Sequence, residues 1–434
     1  MGIGIILVFF ILVVLLDKKK KSTVVPILLV ATLGPKINIG SSSIDATYLF
    51  VILLFGYIFT SKKKISLGTV KRYNQTMILC FFVFSISWML FSRQDVGSLL
   101  SYGTGILKNI ILLYECWNLN KRHSENIETD IFKFVASVIL INAVFVAFQK
   151  LFFSASIDIL RQAFLSPAEF EVLMAETYAG RFNRFGGLFS YSMHLGVFCA
   201  IAFSFLITFE NEKINKLHKY LITICCVVVG IISSTKSFFL GMAVACIFYI
   251  AQNLLHRKNK KIIRRILIPV ILIGFCIVFS DELVDLIEIV FGSYSAFYAQ
   301  KLVLFLSDFS TVFETRFGEN GAILQLVDVV KENWLFGVGP SSVAGESVMD
   351  NAVLVIMHNG GIIALMIVVA YYISTANILI KNKKSILLIV VISACGMGFQ
   401  IWLSSYITLW ACYYFDVFVK ELSKPKRMVC TDGR

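Results

Sequence analysis

Apolar runs of roughly 15 to 23 residues recur along the whole chain, separated by short polar stretches; most are long enough to cross a hydrocarbon layer as a helix. Backbone N–H and C=O groups find no water there, so the runs are expected to be helices rather than open strands. The pattern predicts spans near 1–16, 23–39, 44–60, 76–92, 98–117, 131–153, 187–209, 220–232, 237–254, 266–280, 353–380, 385–399 and 401–418. The expected fold is therefore an all-α polytopic membrane bundle of about 12–13 spans. It forms one integral domain over 1–434. Pro26 and the pair Gly34 and Pro35 interrupt the second run, and Gly396 and Gly398 lie near the turn of the last hairpin. Two stretches stay outside the spans, at 154–186 and 281–350. In the longer one, 281–290 alternates charged and apolar residues at helical spacing, as an interfacial helix does, and GVGP at 337–340 reads as a tight turn.

Composition agrees with this pattern. Of the 434 residues 58% are hydrophobic and only 15% are charged, where a soluble protein carries about 25%. The net charge of +13 does not point to nucleic acid, because Lys and Arg cluster between apolar runs. With Lys18 to Lys21 placed in the cytoplasm, alternation leaves 28 of the 40 basic residues in cytoplasmic loops, as the positive-inside rule requires. The segment 281–350 then lies outside, with eleven acidic residues against Lys301, Arg316 and Lys331. The ten Cys are mostly single residues within apolar runs, without CxxC or metal spacing, and read as packing residues. No cleavable signal is expected, since the first apolar run meets Lys18 without a small-residue cleavage site.

The few basic residues on the outer side are the starting points for chemistry. Lys236 lies in SSTKS at 233–237, at the mouth of a helix. It either binds an anionic head group or snorkels to the interface. Arg316 lies in ETRFG at 314–318, before an amphipathic stretch at 322–330. It either grips phosphate in bidentate fashion or pairs with Glu314 or Glu319. Arg181 and Arg184 precede a span and face either lipid phosphate or the mouth of a site. His358, in MHNGG at 357–361, is either a general base or a histidine bonded to a neighbouring helix. Lys108 falls in mid-span, as a transport pathway would require. The outer loops hold no DxD pair, nothing calls for a metal or other cofactor, and no phosphate-binding glycine loop supports ATP-driven transport.

The order of these motifs resembles the bacterial O-antigen polymerase and ligase superfamily, which includes Wzy-type polysaccharide polymerases. The resemblance runs through RFGGLF at 184–189, SSTKS at 233–237, Thr315 and Arg316, WLFGVGP at 334–340, and HNG at 358–360. The family's usual Ser-Arg or Thr-Arg is Thr235 and Lys236 here, which keeps the charge but loses the guanidinium fork. The resemblance implies a GT-C-like bundle in the bacterial cytoplasmic membrane, with its active site facing the periplasm or exterior. It implies a metal-independent glycosyltransferase that joins repeat units of O-antigen or capsule carried on undecaprenyl pyrophosphate. His358 and Arg316 would be catalytic, with Lys236, Arg316, Arg184 and Arg181 on the pyrophosphate. Tyr294, Tyr298 and Trp334, in a loop over the site, either stack on sugars or anchor the loop at the membrane interface, the commoner role of such aromatics. Further partners implied are the bilayer, a flippase and a chain-length regulator of the same pathway. A ligase of the same superfamily, a flippase for lipid-linked sugar, and a structural or sensor membrane protein remain as alternatives. For orientation, Glu319→Cys is expected to react with an impermeant outer-face thiol reagent and Lys62→Cys is not. The reverse labelling would invert the topology and remove the site proposal with it.

Overall fold

The helices start and stop where apolar sequence gives way to lysine clusters or to Gly and Pro. In the computed structural model the chain is mostly helical. The structure describes residues 1–39, 42–61, 70–91, 96–121, 127–178, 185–209, 211, 214–233, 235–256, 330–340, 351–397 and 406–423, and the single positions 285, 289 and 300. In order, the elements are α1 (Gly2–Lys18), α2 (Val24–Leu33), β1 (Lys36–Ile39), β2 (Ser42–Asp45), α3 (Thr47–Thr60), α4 (Lys71–Phe91) and α5 (Val96–Asn120). Then come α6 (Ile127–Leu151), α7 (Phe153–Ala163), α8 (Pro167–Tyr178), α9 (Ser192–Thr208), α10 (Lys216–Ser233) and α11 (Lys236–His256). Last are α12 (Ala352–Lys381), α13 (Leu387–Gly396) and α14 (Leu409–Ser423).

Among the described residues, α4, α5, α6, α10 and α12 are each long and apolar enough to cross a membrane, while α2, α3, α9 and α13 are apolar but shorter. Large apolar side chains stand exposed on them, including Phe55 and Phe59 of α3, Phe82 and Leu90 of α4, and Ile373 of α12. Water would penalise such a surface and lipid would not. The arrangement is that of a multi-pass membrane protein.

The second predicted span, 23–39, is corrected. α2 stops after ten residues at Gly34, which takes a left-handed conformation (φ 54°, ψ 57°). Pro35 follows it, and β1 then pairs antiparallel with β2 from Lys36↔Asp45 to Ile39↔Ser42. The hairpin also claims the start of the predicted span 44–60, so helix begins only at Thr47. The span 187–209 likewise begins late, at Ser192. The spans expected at 385–399 and 401–418 contain α13 and the first part of α14. The outer stretch 154–186 contains much of α7 and all of α8. The span at 266–280, and most of 281–350 including the predicted interfacial helix, lie outside the described residues.

The lysine-rich ends of the helices meet at one end of the bundle. Ser22, between α1 and α2, donates to Asp130 Oδ2 of α6 at 2.8 Å, and Thr23 N–H donates to Asn120 Oδ1 of α5 at 2.7 Å. Arg72 of α4 donates to Ser374 and Thr375 of α12 at 2.5 and 2.9 Å. Ser385 donates to Gln252 of α11 at 3.2 Å, and Lys384 pairs with Glu128 of α6 at 3.6 Å. Lys420 of α14 lies 4.7 Å from the centre of the Trp117 ring of α5. Alternation of helix direction is thus built into these contacts.

At the centre α9 is buried continuously from Leu195 to Leu206. It packs on α6, α10, α11 and α13. An aromatic cluster of Phe134, Phe198, Phe205 and Trp410 joins α6, α9 and α14. Lipid supplies no hydrophobic drive between helices, so close fit carries the packing. Gly241 of α11 shows this, because a methyl there would lie 2.6 Å from Cys395 Sγ and 2.8 Å from Ala200 Cβ.

Candidate functional site

His358 is held by two mutually fitted glycine-rich segments. Asn351 caps α12 by accepting from Val353 N and Leu354 N at 2.9 and 3.2 Å. The helix then breaks at Gly361 (φ 61°, ψ −163°), a geometry that side chains disfavour. The 334–340 turn fills the break: Ile362 N donates to Trp334 O at 2.8 Å, and Val338 N donates to His358 O at 2.7 Å. Gly337 also has positive φ, at 69°, and a Cβ there would sit 2.3 Å from His358 O. Ser87 of α4 donates to Phe336 O from the other side. Held this way, His358 is buried, and its Nδ1 bonds Asn359 Oδ1 at 3.0 Å. An amide oxygen only accepts, so Nδ1 carries the proton and Nε2 is left as the basic nitrogen.

The second motif, at 233–237, turns the chain from α10 into α11. Thr235 O accepts from Phe238 N at 3.1 Å, and Lys236 is the first residue of α11. Ser233 and Thr235 are buried against Gly196 of α9, where a Cβ would come within 1.9 Å of Thr235 Oγ1. The side chain of Lys236 lies outside the described residues, as do Arg181, Arg184, Arg316, Tyr294 and Tyr298. Trp334 is described and largely exposed. The structure therefore seats His358 on α4 and α12, and the 233–237 turn on α9 and α13, the latter through Cys395 Sγ donating to Ser237 O at 3.5 Å.

A polar layer lies near that turn. His194, two residues before Gly196, shares a hydrogen bond with Tyr406, and the Tyr191 ring stands edge-on to it with centroids 5.0 Å apart. The non-helical segment before α9 is held by α6: Gly187 N donates to Gln149 Oε1 at 3.1 Å and Leu188 N to Asn142 Oδ1 at 2.8 Å. Asn142 and Gln149 are polar residues inside an apolar run, and that was the available signal. Lys108, at the middle of α5 as expected, pairs with Asp45 at the base of the hairpin.

The hairpin is tied to α8 as well. Ser166, Pro167 and Glu169 form a capping box, with Ser166 N donating to Glu169 Oε2 at 2.7 Å and Glu169 N to Ser166 Oγ at 3.3 Å. Lys36 of β1 completes the group by pairing with Glu169. Burial works against ionisation of both carboxyls. Lys36 and the Ser166 hydrogen bonds outweigh it at Glu169, and Lys108 and Thr47 do so at Asp45, so both carboxyls sit below their ordinary pKa. Among the described residues no group of three His, Cys, Asp or Glu side chains is disposed to hold a metal ion.

No family model and no curated protein matches the chain.

A depressed carboxyl pKa means that the Lys36–Glu169 pair stabilises at neutral pH. That contribution is lost as pH falls from the ordinary value of ~4.3 through the lowered one. Glu169→Gln is expected to cost about 2 kcal/mol at neutral pH. In thermal unfolding of detergent-solubilised protein, the gap from wild type should close in acid. A gap independent of pH would remove the ion pair from the account.

Proposed function

We propose that the chain is a polysaccharide polymerase that joins undecaprenyl-pyrophosphate-linked repeat units at the bundle end opposite the lysine clusters. The observation that carries this reading is the docking of WLFGVGP onto HNG. Two motifs of the resemblance, separated in sequence, meet through Val338 N to His358 O and Ile362 N to Trp334 O. The docking fixes a buried histidine whose Nδ1 is bonded to Asn359 Oδ1, which leaves Nε2 for the role of general base.

The chemistry is a displacement at the anomeric carbon. The acceptor sugar hydroxyl attacks that carbon while its proton passes to His358 Nε2. The bond from the anomeric carbon to the pyrophosphate oxygen breaks as the new glycosidic bond forms, and the centre inverts. The departing pyrophosphate gathers negative charge, which Lys236 and Arg316, aided by Arg184 and Arg181, stabilise in place of a metal. A GT-C-like arrangement would put the lipid tail between helices and the 281–350 loop over the glycan, with Tyr294, Tyr298 and Trp334 stacking on sugars. A ligase would use the same donor and chemistry, and it is separated by product.

Deletion of the gene is expected to collapse the surface polysaccharide ladder on a gel to a single repeat on its acceptor. Restored His358→Ala and Arg316→Ala should remain in the membrane without rescuing the ladder, while Lys236→Arg should rescue it. Loss of every surface repeat would instead indicate a ligase or flippase, and full rescue by His358→Ala would end its role as base.

A further inference from the structure

One carboxyl in the bundle has no role in this reaction. Glu115 of α5 is fully buried at 0% exposure, and neither side-chain oxygen has a hydrogen-bond partner. An isolated buried carboxylate is so costly that such a group takes up a proton instead.

Among the described residues, the surrounding elements offer no compensating charge. α5 packs against α2, α3 and α4. α2 has no titratable side chain. α3 has Tyr48, beneath Lys108, and Tyr57, which donates to Asp17 Oδ2 of α1 at 2.6 Å. In α4, Arg72 is bonded to Ser374 and Thr375, Lys71 is exposed, and Tyr73 and Cys80 are buried and uncharged. On α5 itself Lys108 is paired with Asp45, and Lys121, just past its end, donates to Asn118. At the lysine-rich end Asp130 accepts from Ser22, Glu128 pairs with Lys384, Asp416 of α14 accepts from Tyr73 N, and Lys420 lies over Trp117.

Glu115 is five residues from the end of α5, roughly 7.5 Å along the axis. Asn118 is buried one turn beyond it, and Asn120, at the end of α5, bonds Ser22, which donates to Asp130. These polar groups lie toward the lysine-rich end, and none of them is bonded to Glu115.

We propose that Glu115 is a proton-binding site within the bundle, held as the neutral acid and exchanging its proton with solvent. Loss of the proton leaves an unpaired negative charge beside α2, α3 and α4 and loosens their packing on α5.

Infrared spectroscopy of the full chain in lipid nanodiscs tests this. Wild type at neutral pH is expected to show the carbonyl stretch of a protonated carboxyl that Glu115→Gln lacks. The band should shift in deuterium oxide and fade in alkali. Identical spectra of the two proteins at neutral pH would overturn the neutral acid, and a band unmoved by deuterium oxide would overturn the exchange. Wild type alone gives an independent reading if Glu115→Gln fails to accumulate. Dicyclohexylcarbodiimide adds to protonated carboxyls in apolar surroundings, the acid O–H adding across a C=N bond, so the peptide carrying Glu115 should be labelled at neutral pH and spared in alkali. An unlabelled peptide at neutral pH overturns the proposal.

Discussion

Away from water, every backbone N–H and C=O that leaves helical geometry must find a partner inside the protein. The irregular parts of this bundle are organised by that need. At Gly34 the chain answers it by pairing with itself, as β1 and β2. Before α9, the free amides of Gly187 and Leu188 are taken by Gln149 and Asn142. At Gly361, the break in α12 is closed by Trp334 O and Val338 N from a turn distant in sequence. Each solution brings polar side chains or backbone into an apolar bundle. Chemistry on a polar substrate has its natural place at such points, where dipoles and a histidine are already fixed in position.

Charge follows the same division. Lysine-rich helix ends lie at one end, where the contacts among Ser22, Asn120, Asp130, Glu128 and Lys384 gather them. Among the described residues, Lys36 pairs with Glu169 and Lys108 with Asp45. Glu115 is buried without a partner, and the proton it is proposed to carry removes the charge.

Hydropathy made the long helices legible, because α4, α5, α6, α10 and α12 each hold enough apolar length to declare themselves. It did not separate helix from hairpin at 36–45, because KINI and SSID are apolar enough to extend a run. The decisive signal was Gly34 with Pro35, which ends a helix on conformational grounds whatever the hydropathy. Of the site, MHNGG and WLFGVGP were visible as motifs, but their mutual docking depends on φ at Gly337 and Gly361 and on a long-range register that no local pattern encodes. Lys108 does lie at the middle of its helix, as the hydropathy places it, but its partner Asp45 lies in the hairpin and no local pattern joins the two. His194 and Tyr406 are far apart in sequence and ordinary in their local surroundings, and only the fold joins them.

The most direct measurement is an assay of the purified chain in nanodiscs with an undecaprenyl-pyrophosphate-linked repeat unit and a chelator present. The account predicts glycans lengthened by whole repeats with matching release of undecaprenyl pyrophosphate. Donor recovered unchanged, with no released pyrophosphate, would contradict it.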